Sequence, residues 1–169
     1  MHDSLEQFLG QVAHRGSWIG GGSVAALSAA LAAALLEKLV ADPRAARQLT
    51  RRRKACLILI EQDAKRFARV IEATRTTRPG VFARALKDAT EVPCQVYEHA
   101  GAVLVACRRA RRGIKPKFQS DLKCAMAVAA SAQASARALI QTNLTWLNDG
   151  SYTKRLQQRL RAAAPPHVG

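Results

Sequence analysis

The chain has 169 residues, which is enough for one domain with a substantial core. Hydrophobic residues make up 49% of it, aromatic residues only 5%, and alanine is abundant. Because strands draw on β-branched and aromatic side chains, this composition argues against a sheet and favours packed helices. The formal net charge of +15 favours polyanionic partners: nucleic acid, an anionic membrane surface or a small polyanionic ligand.

Three helices are predicted in the first half of the chain. The first is short, follows Asp3-Ser4, and has apolar residues at helical spacing: Leu5, Phe8, Leu9 and Val12. The second runs from Ser23 to Val40 and is apolar on every side, which predicts burial all round. The third begins near Arg44 and ends before Thr76, and one of its faces carries a stripe: Cys56, Ile60, Ala64, Phe67 and Ile71.

Three more helices are predicted in the second half. The fourth runs from Val81 to Cys107, and we expect Pro93 to kink or divide it, because proline removes a hydrogen bond and clashes with the preceding turn. A fifth, Ala-rich helix runs from Ser120 to Leu144, and a short amphipathic one from Tyr152 to Ala163.

The sequence therefore predicts an all-α multi-helix bundle with two Ala-rich central helices. Residues 1–163 are interpreted as a single helical domain and residues 164–169 as a flexible tail. Small side chains let helix axes approach closely. One alanine surface would therefore pack in the core, and a second would pack against a symmetric partner. We expect a homodimer.

The cysteines and the N-terminus bear on location. Cys56, Cys94, Cys107 and Cys124 lie among apolar residues, without CxxC pairs or histidines at metal-ligand spacing, which predicts buried free thiols, no metal and a reducing compartment. Asp3 and Glu6 lie where a signal peptide would be positively charged. The apolar run 24–36 is too short to span a bilayer. A cytoplasmic protein without a membrane partner is expected.

The segment Gly20-Gly21-Gly22-Ser23 leads directly into the second helix. Glycine lets a ligand or another chain approach the backbone closely, and Ser23 is a good N-cap residue. A helix that starts here would present free N–H groups to a carboxylate, a phosphate or a developing negative charge. A flexible turn ahead of a core helix explains the same residues.

Two acidic residues are candidates for chemistry. Asp63 lies between Ile60 and Phe67, and a carboxyl beside an apolar face can have its pKa raised as a general acid or base requires. The alternative is a solvated Asp63 that pairs with Arg66 or Lys65. Asp121 follows Ser120 at a predicted helix start. A serine that caps the helix and an aspartate that complements the helix dipole account for both residues without any role in chemistry.

Basic residues precede that helix start in a block that includes Lys115 and Lys117. Solvated surface is the ordinary explanation for such a block. Beside a helix N-terminus, however, these lysines could bind the carboxylates of an acidic ligand. Few aromatic residues and no zinc-finger or basic-heptad spacing make nucleic acid the less favoured partner.

In order along the chain, short motifs resemble the cyclodeaminase/cyclohydrolase family, which includes the C-terminal domain of formiminotransferase-cyclodeaminase and bacterial methenyltetrahydrofolate cyclohydrolases. The motifs are the Gly-Gly-Gly-Ser segment, Asp63-Ala64 with Phe67, Val92-Pro93, Ser120-Asp121, and Asn143-Leu144 with Asp149. The resemblance implies an all-helical homodimer that opens or closes the bridge between N5 and N10 of tetrahydrofolate. It implies no metal or redox cofactor, and a folate with a polyglutamate tail would suit the basic surface.

Roles carried over from the resemblance fall on particular residues. Gly20, Gly21, Gly22 and Ser23 would line the pterin or its bridge, and Asp63 would transfer the proton. Asp121 would orient water or a pterin nitrogen, with Ser120 beside it, and Asn143 would support the pocket.

The chain also departs from the family pattern. The segment before Asp63 is shorter by several helical turns, the Gly-Asn pair expected before Ser120 reads Ile114-Lys115, and Leu139 replaces an asparagine. Three hypotheses follow: a folate cyclohydrolase or cyclodeaminase, a non-catalytic member that binds folate or another acidic ligand, and a basic helical nucleic-acid-binding protein.

Overall fold

The chain folds into six α-helices joined by short connections, in a computed structural model that describes residues 5–163. The helices are α1 (Leu5–Ala13), α2 (Gly21–Leu39), α3 (Pro43–Ala73), α4 (Val81–Ala110), α5 (Gln119–Leu147) and α6 (Gly150–Ala163), with a 3₁₀ turn at Pro116–Phe118 before α5. Within residues 5–163 there is no strand, so the all-α prediction is confirmed. The predicted cap Asp3-Ser4 and the predicted tail 164–169 lie outside the described residues.

Helices α2 to α5 form the bundle, with α2 packed against α3, α4 and α5. The contact between α2 and α5 is made of alanines that are at most 3% exposed, among them Ala29 and Ala33 on α2 and Ala129 and Ala132 on α5. Small side chains at these positions let the two helix axes come close together. Helix α6 packs on α4.

An arginine fork fixes α6 against α4. Arg159 donates to Glu91 at 2.8 Å through both terminal nitrogens and to Glu98 at 2.6 and 3.1 Å. A planar guanidinium that donates to two carboxylates in this way fixes their orientation as well as pairing with their charges. The hydrogen bonds from Arg159 lower the pKa of Glu91 below its ordinary value.

Three local predictions are corrected by the structure. Gly20, not Ser23, precedes α2, and Ser23 is the third helical residue. Phe118 precedes α5, so Ser120 lies inside the first turn instead of capping it. Helix α4 is not divided at Pro93, because Val92, Pro93 and Cys94 are buried and tertiary packing outweighs the lost hydrogen bond. A kink at Pro93 stays a prediction.

The cysteines divide into two classes. Cys56, Cys94 and Cys107 are buried, as predicted, and burial raises their thiol pKa to about 12, about 12 and about 11. These thiols are therefore neutral and poorly reactive. The prediction was wrong for Cys124, which is exposed because it lies on the outward side of α5.

The length argument against a membrane span also needs correction. Helix α2 has 19 residues, more than the run 24–36, and by length and composition alone it is apolar enough to cross a membrane. Half of that apolar window is buried inside the bundle. Such burial is typical of a core helix.

Candidate functional site

The N-terminus of α2 forms the first part of the candidate site. Gly20 is extended, with φ −137° and ψ −151°, and provides no side-chain cap. The first intrahelical bond runs from Val24 N–H to Gly20 O at 3.0 Å, so the three preceding N–H groups have no partner within the helix. Ser23 N–H is satisfied by another helix. No described residue accepts from Gly21 or Gly22 N–H, and both lie at the positive end of the helix dipole.

Asp63 on α3 caps this end of α2 from the side. Its Oδ2 accepts a hydrogen bond from Ser23 N–H at 2.8 Å and lies 3.0 Å from Ser23 Oγ. Ser23 Oγ lies equally close, at 3.0 Å, to the carbonyl oxygen of Ile60. Because a hydroxyl carries one proton, Ser23 donates it either to Asp63 or to Ile60.

This arrangement accommodates both protonation states of Asp63. The ionised carboxylate accepts from the Ser23 hydroxyl, whereas the neutral carboxyl can donate to Ser23 Oγ while Ser23 donates to Ile60. Burial raises the pKa of Asp63, and the two hydrogen bonds from Ser23 oppose part of that rise. A carboxyl that titrates closer to neutral pH is suited to take up and release a proton during a reaction.

Gly22 lets the carboxylate of Asp63 approach the backbone of α2. A Cβ atom at residue 22 would overlap Oδ1 and Cγ of Asp63. Only glycine therefore permits this contact. The Oδ1 atom itself accepts no hydrogen bond from any residue in the described range 5–163, so one carboxylate oxygen remains available to a ligand.

The alternative interpretation of Asp63, a surface ion pair, is not what the structure shows. Lys65 lies 3.7 Å from Glu61, and Arg66 lies 3.2 Å from a carboxylate oxygen of Asp88. Both cations predicted as alternative partners are thus paired elsewhere. Asp63 is half-buried and bonded to Ser23.

An aromatic pair and a groove lie beside Asp63. Trp18 and Phe67 meet edge to face, with ring centroids 6.3 Å apart and an interplanar angle of 62°, and both are partly exposed. Next to them a groove of about 710 Å³ is lined by Ala64 on α3 and by residues of α1 and the segment after it: Gln7, Gly10, Gln11, His14, Ser17, Trp18 and Ile19. The groove reaches α3 at Ala64, the residue after Asp63, and its aromatic and apolar lining suits a flat ring.

Helix α5 covers the other side of the glycine segment. A Cβ at Gly21 would lie 3.6 Å from Cδ2 of Leu139, so Leu139 packs over the start of α2. Asn143 follows one helical turn later on the same face and is half-buried. At the position where the family resemblance implies an asparagine, the chain therefore places an apolar side chain.

The second predicted acid lies at the opposite end of the bundle. Asp121 is 4.0 Å from Lys38, in the last turn of α2. Fifteen residues separate Ser23 from Lys38, so the two carboxylates lie roughly 22 Å apart along α2 at 1.5 Å per residue. Ser120, Lys115 and Lys117 are exposed at that same end, and Lys117 lies 5.0 Å from the centre of the Phe118 ring.

Within one chain, the structure thus brings together the glycine segment, Ser23, Asp63 and the face of Asn143. It does not bring Ser120, Asp121, Lys115 or Lys117 to them. Sequence reasoning missed Trp18 as a candidate site residue. Its signal was available: an aromatic residue two positions before the glycines, in a chain with few aromatics.

Comparisons with known proteins bear on the family and the fold. The family model of formiminotransferase-cyclodeaminase matches the chain in two segments, residues 4–42 and 38–162. The fold is similar to the crystal structure of formiminotetrahydrofolate cyclodeaminase from Thermotoga maritima, with a TM-score of 0.89 and 22% sequence identity over 96% of this chain and 88% of that one. Comparison with curated protein sequences gives no match.

Proposed function

Because the chain belongs to the formiminotransferase-cyclodeaminase family, we propose that it is a folate one-carbon enzyme that acts on the carbon between N5 and N10 of tetrahydrofolate. Two reactions share that carbon. In the cyclohydrolase reaction, water adds to 5,10-methenyltetrahydrofolate and one C–N bond breaks. In the cyclodeaminase reaction, N10 of 5-formiminotetrahydrofolate attacks the formimino carbon and ammonia leaves.

The observation that supports this proposal is the position of Asp63. Its carboxyl group lies against the start of α2, its pKa is raised by burial, and one oxygen is free of partners among residues 5–163. In the hydrolase direction the carboxylate would take a proton from the attacking water. In the deaminase direction the neutral carboxyl would give its proton to the leaving nitrogen.

The pterin ring would occupy the groove lined by Ala64, the residue after Asp63. Trp18, which meets Phe67 edge to face, offers an apolar ring surface, and Gln11 and Ser17 offer hydrogen-bonding groups for ring nitrogens and oxygens. The free N–H groups of Gly21 and Gly22 would bind a developing negative charge or a carbonyl oxygen of the substrate. The half-buried amide of Asn143 would support the pocket from α5.

We further propose that the enzyme is a homodimer whose copies meet through α2 and α5. The outward side of α2 carries Val24 and Leu31, which are 39% and 56% exposed. The outward side of α5 beside it is built from exposed small residues: Ala127, Ser131, Ala134 and Ala138. A face of small apolar side chains is suited to close packing against a second copy.

A two-fold axis across this face would complete the site. If the two copies of α2 run antiparallel, the N-terminus of one lies near the C-terminus of the other. Asp121 of the second copy, with its Ser120, Lys115 and Lys117, would then approach the Asp63 of the first. This arrangement gives a role to Asp121 and its neighbours, which a single chain holds roughly 22 Å from Asp63.

A second candidate function follows from Leu139. An apolar side chain over Gly21 removes a polar group that the family resemblance implies, which favours a member that binds a folate without converting it. The purified protein, assayed with 5,10-methenyltetrahydrofolate and with 5-formiminotetrahydrofolate, decides between the two functions. Turnover of either substrate supports the enzyme, and folate binding without turnover supports the second candidate.

A further inference from the structure

A second cleft, of about 820 Å³, opens at the end of α2 away from Asp63. Its walls are the α2–α3 junction with the end of α2, the first half of α3, the second half of α4 with the turn after it, and the end of α6. The described residues that line it belong to these elements rather than to the outward faces of α2 and α5. Within one chain, the cleft therefore lies apart from the proposed folate groove, and its lining residues are not those of the proposed dimer face.

Four charged residues line the cleft: the acidic Asp42 and Glu98, and the basic Arg52 and Arg109. Glu98 is held by Arg159 at 2.6 Å, and Asp42 caps α3 by accepting from Arg44 N–H at 3.2 Å and Ala45 N–H at 2.9 Å. In the part of the chain that the structure describes, no carboxylate lies within ion-pair distance of Arg52 or Arg109. Within residues 5–163, the cleft thus presents two guanidinium groups that are not in ion pairs.

Arg52 is half-buried, and His99 holds it in place. Arg52 Nη1 lies 3.4 Å from His99 Nδ1, and the guanidinium is the donor because it has no acceptor atom. Burial, together with the charge of Arg52, lowers the pKa of His99, so the imidazole is neutral and able to accept. The remaining N–H groups of Arg52 keep the planar fork that matches a carboxylate.

The rest of the cleft surface is mostly apolar. Leu49 and Ile114 are buried in its wall, and Val105 and Ala106 line the α4 side. One wall is also the point where the two matched family segments overlap, at residues 38–42. The cleft therefore includes the junction at which this chain departs from a continuous family pattern.

We propose that this cleft is a second ligand site, which binds a small organic acid through a carboxylate–Arg52 contact with the apolar body against Val105 and Ala106. Arg109 supplies the second positive charge. The volume of the cleft is typical of small-molecule sites in proteins. The site is separate from the proposed folate chemistry, and its test does not depend on catalytic activity.

Calorimetric titration with 2-naphthoate, a carboxylate on an apolar ring, tests the proposal, with 2-naphthamide as the neutral isostere. We expect the acid to bind about tenfold more tightly than the amide, because hydrogen bonds between ionised groups are about twice as strong as neutral ones. Arg52→Gln is expected to remove that advantage. The matched control is Arg47→Gln, which removes one positive charge from an exposed position of α3 outside the cleft and is expected to leave the affinity unchanged.

A second variant tests the location of the site independently. Ala106→Trp places a large ring in the cleft and should abolish naphthoate binding. Equal affinities for acid and amide, equal effects of Arg52→Gln and Arg47→Gln, or undiminished binding to Ala106→Trp would each overturn the proposal. Competition by 5-formyltetrahydrofolate identifies the source of the carboxylate. If it displaces naphthoate, the natural carboxylate is the glutamyl end of a folate. If it does not displace naphthoate, the natural ligand is a different acid.

Discussion

The carboxylate of Asp63 occupies the space that a side chain at Gly22 would need. The two residues lie on different helices, 41 positions apart, and the carboxylate fits there only because residue 22 has no side chain. The close approach brings Asp63 Oδ2 within 2.8 Å of Ser23 N and leaves Oδ1 against the start of α2. The geometry of the candidate site therefore depends on a backbone contact as well as on the acid itself.

Gly22→Ala should displace the Asp63 carboxylate and destabilise the protein. We expect a loss of about 1–3 kcal/mol in the free energy of unfolding, the usual cost of overpacking. Gly21→Ala is the matched control, because its Cβ would meet Leu139 at an ordinary contact distance of 3.6 Å. Urea unfolding of both variants makes the comparison. Equal stabilities would show that Asp63 does not depend on the glycine.

The pH dependence of stability should reveal the raised pKa of Asp63. Between the ordinary pKa of 3.8 and the raised value, the native state binds more protons than the unfolded chain, so this group makes stability fall as pH rises. Asn at residue 63 does not titrate. As the pH rises from about 3 to 7, the melting temperature of Asp63→Asn should therefore rise relative to that of wild type. A shift in favour of wild type would mean that the Ser23 hydrogen bonds outweigh burial.

The homodimer prediction can be tested at one exposed leucine. Leu31→Glu places a charge in the middle of the outward face of α2, where Leu31 is 56% exposed. Light scattering should give twice the chain mass for wild type and the single chain mass for this variant. Ile58→Glu is the control, because Ile58 is equally exposed, at 59%, but lies on α3. A dimer that survives Leu31→Glu but not Ile58→Glu would place the interface elsewhere.

Mixed dimers test whether two copies share one site. Asp63→Asn and Asp121→Asn should each be inactive, whereas a mixture that has exchanged subunits should recover about one quarter of wild-type activity, since half of the dimers are mixed and one of their two sites is intact. Activity of the purified mixture under exchange conditions is the measurement. No recovery would place Asp121 outside the site of a second copy.

The helices could be predicted from the sequence, because burial imposes a 3.6-residue period that is strong in a chain rich in alanine and leucine. The ends of helices were less predictable. Ser23 has the side chain of an N-cap residue but lies inside α2, because Asp63 of another helix satisfies its N–H group. Local rules cannot anticipate a cap that comes from 40 residues away.

The candidate site could be predicted only in part. Asp63 was identifiable from its apolar neighbours, but its contact with Gly22 depends on how α2 and α3 pack. Trp18 was missed because it belongs to no periodic pattern. The exposure of Cys124 also depends on which side of α5 faces outward, and both sides of that helix are rich in small residues.

The turnover of Asp63→Asn tests the central claim most directly, on whichever of the two folate substrates the wild type converts. The control is Glu61→Gln, which alters an exposed carboxylate two residues earlier on the same helix and should leave turnover unchanged. Asp63→Asn should lower kcat by about 10²-fold or more, the usual loss when a general acid or base is removed, while KM changes little. Turnover of Asp63→Asn equal to that of Glu61→Gln would contradict the assignment of proton transfer to Asp63.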